Sequence, residues 1–131
     1  MKTIIDANVI IAAFAGRGLC NALLELCLAN DEIILCEEIL SDVKEKLIRT
    51  IKVPQRQADE IDGYLRAHST VVTPAPVPAS SCRDADDLPV PGAAIAAHAD
   101  YIITGDDDLL TLKEYGGIPI VTPRQYWDVC S

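Results

Sequence analysis

Asp6 is the first residue of this chain in which a reactive side chain meets a constrained setting. It stands between two β-branched runs, Thr3-Ile4-Ile5 and Val9-Ile10-Ile11, with Asn8 two positions on. The first run reads as a central strand buried on both faces. A carboxylate at its carboxyl end falls where open α/β sheets place their ligand crevice. A second group, Asp106-Asp107-Asp108, follows the apolar run Tyr101-Ile102-Ile103 through Thr104-Gly105. Asp84, Asp86 and Asp87 precede the helical segment that leads into that run. In a parallel sheet, Asp6 and Asp106 therefore share one rim. Carboxylates gathered there repel one another unless a cation neutralises them. Hard oxygen donors without sulfur or imidazole point to Mg²⁺ or Mn²⁺. A structural reading competes: Asp6 caps a helix starting near Asn8, and the other acids cap helix N-termini, where negative charge is favourable.

One further acid comes from a helix. Residues 37–48 carry Ile39, Leu40, Val43 and Leu47 at helical spacing. At about 100° per residue, Asp42 falls about 120° from the centre of that stripe, and Glu38 and Glu45 about 160° and 180° away. Asp42 is thus expected at the edge of the buried face, able to lean toward a rim site, with Glu45 in solvent. Thr104, two residues ahead of Asp106, is placed to hydrogen-bond a carboxylate or a phosphate.

The elements that must position these groups follow from apolar periodicity. Residues 18–29 read as an amphipathic helix, Ile33-Ile34-Leu35 as a second strand, and residues 37–48 as a second helix. Pro54 suits the first turn of another helix, with Ile61, Tyr64 and Leu65 on its apolar face and its end near His68. Val71-Val72 is a third strand, and the proline-bearing residues 73–81 are a surface loop. A small-residue helix over 92–98, with Pro89 and Pro91 ahead of it, leads to the fourth strand at 101–103. A short helix around Leu109, Leu110 and Leu112, a fifth strand at 118–121 and a last helical turn at 123–127 complete the chain. Strands alternating with helices give an α/β fold, a parallel sheet covered on both faces.

Length and composition bound the function. The 131 residues form one expected domain, 1–131, and half of them are hydrophobic, enough for a real core. No apolar run approaches the roughly 20 residues of a membrane helix, and no signal peptide opens the chain. The net charge of −9 argues against a nucleic-acid binder with a broad basic surface, but not against an enzyme whose acids gather around divalent cations. Lys44, Lys46, Arg49, Lys52 and Arg56 fall in one stretch, a solvated helix face or a phosphate contact. The five cysteines form no C-x-x-C pair and read as packing residues of a reduced, cytoplasmic protein. Apolar helix faces leave a homodimer open.

Taken together, four stretches carry a resemblance: I-I-D-A-N-V-I (4–10), E-E-I-L-S-D-V (37–43), C-R-D-A-D-D-L-P (82–89) and A-D-Y-I-I-T-G-D-D-D-L-L (99–110). They resemble the PIN-domain family, and within it the VapC-like toxin components of toxin–antitoxin pairs, over nearly the whole chain. The resemblance implies a three-layer α/β/α sandwich with strand order 3-2-1-4-5, and a metal-dependent endoribonuclease with RNA as substrate and an antitoxin as partner. The family's first acid falls on Asp6, with Asn8 as polar companion, and its second, commonly Glu, on Asp42, one methylene shorter. Its third falls on Asp87, with Asp84 in the same segment, and its fourth on Asp106, with Asp108 as an accessory. Pro91 replaces a usual apolar residue and is expected to displace the start of the following helix.

The chemistry would be attack of an activated water on a phosphodiester. Asp6, Asp87 and Asp106 would hold one or two Mg²⁺ or Mn²⁺ ions, Asp42 a second ion or the water, and Asn8 and Thr104 the substrate. Two other classes compete. An aspartyl-phosphate phosphatase also starts from a strand-end Asp but wants a second acid where this chain has Asn8, and a phosphoacceptor receiver wants a Lys where it has Thr122-Pro123. A non-catalytic PIN-like module that binds nucleic acid or protein would have no need of all three carboxylates.

Overall fold

A computed structural model describes residues 1–16 and 18–130. In chain order the elements are β1 (Lys2–Ile5), α1 (Ala7–Ala15), α2 (Leu19–Asn30), β2 (Glu32–Leu35), α3 (Glu37–Arg49), α4 (Gln55–Ala67), β3 (Thr70–Val71), α5 (Pro89–Ala97), β4 (Tyr101–Ile103), α6 (Asp107–Leu110), β5 (Glu114–Tyr115), β6 (Ile118–Val121) and α7 (Pro123–Cys130). The sheet order is β3-β2-β1-β4-β6-β5. Every pairing is parallel except β5 with β6.

The central strand is buried as its composition requires: Thr3, Ile4 and Ile5 are at most 1% exposed. Helix α5 packs on β1, β2 and β4, while α2 packs on β2 and touches α1 and α7. Helices therefore flank the sheet as a three-layer sandwich. The expected fifth strand is β6, and the expected order holds as far as it. Beyond it the structure adds an edge strand, β5, turned back through Gly116 and Gly117 with φ of 56° and 83°. Two consecutive positive φ values are what a two-residue hairpin turn needs, and glycine supplies them without steric cost. No single helix among the described residues is long and apolar enough to cross a membrane.

Several boundaries differ from expectation, and β3 covers Thr70–Val71 rather than Val71-Val72. Pro54 is the residue before α4 rather than part of its first turn. Helix α7 continues to Cys130. Helix α5 starts at Pro89, three residues before Gly92, with Pro91 buried inside its first turn. A proline there removes only an N–H that has no partner within the helix. Gly92 admits the neighbouring loop: its carbonyl accepts the Ala75 N–H at 2.9 Å, and a Cβ there would lie 2.7 Å from the Ala75 carbonyl oxygen. Among the cysteines, Cys27, Cys36 and Cys82 are buried, as packing residues should be, but Cys130 is exposed.

Candidate active site

Strand β1 is hydrogen-bonded to β2 on one side and to β4 on the other, with Ile5 in register with Ile103. The chain leaves β1 toward β2 and returns on the opposite side at β4. This is the topological switch point of the sheet, where helices diverge and leave a crevice at the strands' carboxyl ends. Asp6 and Thr104 are the first residues past the two paired strands. The Asp6 N–H donates to the Ile103 carbonyl at 2.9 Å, extending the ladder by one bond and anchoring the Asp6 backbone.

Both oxygens of Asp6 are held. One accepts the Ala7 N–H at 2.7 Å, and the other accepts the Thr104 hydroxyl at 2.7 Å. The Thr104 oxygen in turn accepts the Asp106 N–H at 3.0 Å. Thr104 is fully buried, and of its two expected partners, a carboxylate or a phosphate, its hydroxyl meets the carboxylate. Asp106 accepts the Asp108 N–H at 3.0 Å and so starts α6, and Asp84 accepts the Asp86 N–H at 3.0 Å and starts a 3-10 turn over Ala85–Asp87. The capping reading is thus true of Asp6, Asp84 and Asp106. It is incomplete, because a cap uses one carboxylate oxygen and does not require three caps to face one another.

They do face one another. An open cavity of about 880 Å³ is lined by Asp6, Asn8, Asp42, Asp84, Asp87 and Asp106. Carboxylate oxygens of Asp87, Asp106 and Asp108 lie within 4.8 Å of one another. Burial pushes the Asp87 carboxyl up to about 7, helped by a hydrogen bond shared with Asp106 and by the charges of Asp106, Asp84 and Asp6. Asp6 is also raised, chiefly by burial, against the lowering effect of its Thr104 and Ala7 hydrogen bonds. In the metal-free protein the Asp87 carboxyl is thus harder to ionise than an exposed one, first because it is partly buried and then because other carboxylates face it. Three convergent hard oxygens in that state fit a divalent cation such as Mg²⁺ or Mn²⁺. The tight group includes Asp108, expected only as an accessory, and leaves Asp6 outside it.

Helix α3 contributes more than expected. Ile39, Leu40, Val43 and Leu47 are buried, and Asp42 is half-exposed beside them. Its charge is among those that raise Asp6. Glu45 is exposed and ion-paired with Arg49 at 3.4 Å, yet it also lines the cavity, as do Glu37 and Glu38. The cavity wraps farther round the helix than the buried stripe alone could show. Lys46 lines it too, and its sequence neighbourhood gave only a choice between a solvated face and a phosphate contact.

A family model described as PIN domain matches residues 2–108. A comparison with curated proteins finds no match. Among solved structures, a chain in the crystal structure of VapBC2 from Rickettsia felis, bound to a DNA fragment from their promoter, superposes with a TM-score of 0.67. The alignment covers 93% of this chain and 98% of that one at 13% sequence identity, which carries the fold.

Proposed function

The chain belongs to the PIN-domain family, and on that premise we propose that it is a divalent-metal-dependent endoribonuclease, the toxin of a toxin–antitoxin pair. One observation carries the reading. Asp87, Asp106 and Asp108 bring carboxylate oxygens within 4.8 Å of one another at the switch point of the sheet, and burial, with the neighbouring Asp106, Asp84 and Asp6, raises the Asp87 carboxyl. A cation, Mg²⁺ or Mn²⁺, would be held by these three with Asp6 beside them. When bound it would supply an activated water and a counter-charge for the developing phosphorane. The protein's own part is positional. Thr104 and the Ala7 N–H fix the Asp6 carboxylate, leaving its free lone pairs to orient water or a cation. Asp42 stands on the α3 side of the cavity, close enough for its charge to be felt at Asp6, and is assigned to a second ion or to the water. Asp84, whose charge is felt at Asp87, would complete the cation's surroundings, and Asn8, exposed in the cavity wall, would face the substrate.

The alternatives are weaker. A phosphoaspartate mechanism on Asp6 would need a second acid two residues on to handle the proton, and that position is Asn8. A protein partner, the antitoxin, belongs to the same proposal by extension from the Rickettsia felis complex; a homodimer and a cytoplasmic setting belong to it on the sequence reading alone. The test is cleavage of mixed cellular RNA with Mg²⁺, Mn²⁺ or EDTA. Cleavage should require metal and vanish in Asp87→Asn and Asp106→Asn. Metal-independent cleavage, or none with either ion, would overturn the reading.

A further inference from the structure

Of the residues that line the cavity, Lys46 is the one cation among the described residues. Of its basic neighbours in sequence, Lys52 lies outside that lining and the other three are engaged elsewhere. Lys44 pairs with Asp59 of α4 at 2.7 Å, Arg49 with Glu45 at 3.4 Å, and Arg56 with Glu60 at 3.6 Å. Arg66, from α4, is tied to Glu37 by two hydrogen bonds of 2.6 and 2.8 Å. The Lys46 ammonium instead turns into the cavity, 3.3 Å from an Asp42 oxygen and 3.3 Å from Asn8 Oδ1.

We propose that Lys46 is the phosphate-contacting residue of the site, released from Asp42 and Asn8 to meet a phosphodiester oxygen of single-stranded RNA. This rests on the nuclease reading of the cavity. Both Lys46 contacts are long, and its side chain is 43% exposed, so they are cheap to exchange. Asn8 follows Asp6 by two residues, so the ammonium sits at the entrance to the buried acid. A polyanion entering a wall of carboxylates needs a positive partner besides the ion at Asp87 and Asp106. A flexible lysine supplies a compact charge whose place a phosphate can take up.

The test uses full-length protein with Ca²⁺ and a fluorescein-labelled single-stranded RNA 20-mer, read by anisotropy from low to high salt. Lys46→Gln should weaken binding about tenfold, the order of one charge-assisted contact. It should reduce the slope of log affinity against log salt by about 0.7. Lys46→Arg should restore most of the affinity. Lys44→Gln, which removes the same net charge outside the cavity, should leave both readouts nearly unchanged. In Mn²⁺ cleavage assays the Lys46→Gln defect should fall on KM more than on kcat. Equal effects from Lys44→Gln and Lys46→Gln would reduce the contact to general charge and overturn the proposal. So would intact RNA affinity in Lys46→Gln, with Mn²⁺ affinity lost, since Lys46 would then be a prop for Asp42. A wild type that binds RNA through Lys46 but cuts none would sink the nuclease reading and leave the phosphate contact standing. A wild type that binds no RNA would end both.

Discussion

The two rims of the sheet use the same residue type to opposite ends. At the amino rim, just ahead of β2 and β4, each of two aspartates has donors of its own. Asp31 accepts the Tyr126 hydroxyl at 2.5 Å and lies 3.4 Å from the terminal ammonium of Met1, with its side chain only 7% exposed. Asp100 accepts the Lys2 N–H at 2.8 Å. At the carboxyl rim, Asp87 is raised by burial and by the carboxylates of Asp106, Asp84 and Asp6, and Asp6 is raised by burial and meets the fields of Asp106 and Asp42. A matched carboxylate ties elements together, and an unmatched group of them keeps electrostatic free energy that a cation can release. The difference lies in neighbours rather than in sequence context, since Asp31 and Asp6 both flank a strand.

If this contrast is right, changes at the two rims should have opposite signatures. The largest effect is expected from Asp6→Asn, which should lower cleavage by about 10³-fold, several kcal/mol of transition-state stabilisation. Its metal-free stability should stay within about 1 kcal/mol of the parent, because relief of a buried charge offsets the one hydrogen bond, from Thr104 or Ala7, that the Asn NH2 cannot accept, and Asn keeps nearly the same volume. Thermal melts with EDTA and with Mn²⁺ decide this: the Mn²⁺ shift should shrink while the EDTA baseline holds. A fully active variant would sink the catalytic assignment.

Within the carboxyl rim, Asp42→Asn should lower kcat by about tenfold or more, and Glu45→Gln should stay within about threefold, since one tenfold step is only about 1.4 kcal/mol. Both acids line the cavity, but Asp42 is the one whose charge reaches Asp6. The reverse ranking in a cleavage assay would reassign the second acid to Glu45.

Tyr126→Phe probes the opposite rim. It leaves Asp31, nearly buried, without its shortest donor and should cost about 1–3 kcal/mol in urea unfolding. Cleavage per folded molecule should not change. A loss of activity without a loss of stability would show that the rims are coupled.

The last test changes no residue and varies pH. Asp87 binds its proton more tightly in the folded chain than in the unfolded one, from 3.8 up to about 7. Between those values the native state holds more protons, so metal-free stability should fall as pH rises from about 4 through 7. Saturating Mn²⁺ should displace the Asp87 proton and flatten that slope. A melting temperature that rises over this range with EDTA present would contradict the uncompensated charge at Asp87.

Much of this was legible in one dimension because it depends on local pattern. Short β-branched runs such as Thr3-Ile4-Ile5 and Tyr101-Ile102-Ile103 exclude water on both faces wherever they go, so a parallel core follows from them. The acids after two such runs had to share a rim once the strands were parallel. The 3.6-residue period of α3 separated its buried stripe from its polar face. What escaped was set by partners distant in the chain. Helix α1 is apolar nearly all round and offers no period to read. The Gly116-Gly117 turn was a visible hairpin signal, but its strand is only two residues long.

By itself, then, the sequence determined the class of fold, the rim on which the carboxylates lie and the hard-oxygen chemistry open to them, because propensity and alternation act over a few residues. Only the tertiary structure decided which charges are matched. Thr104 reaches Asp6 across 98 positions, Tyr126 reaches Asp31 across 95, and Lys46 reaches Asn8 across 38. Burial and Coulomb interaction depend on distance through space, and no local pattern records which partner the folded chain brings within about 3 Å.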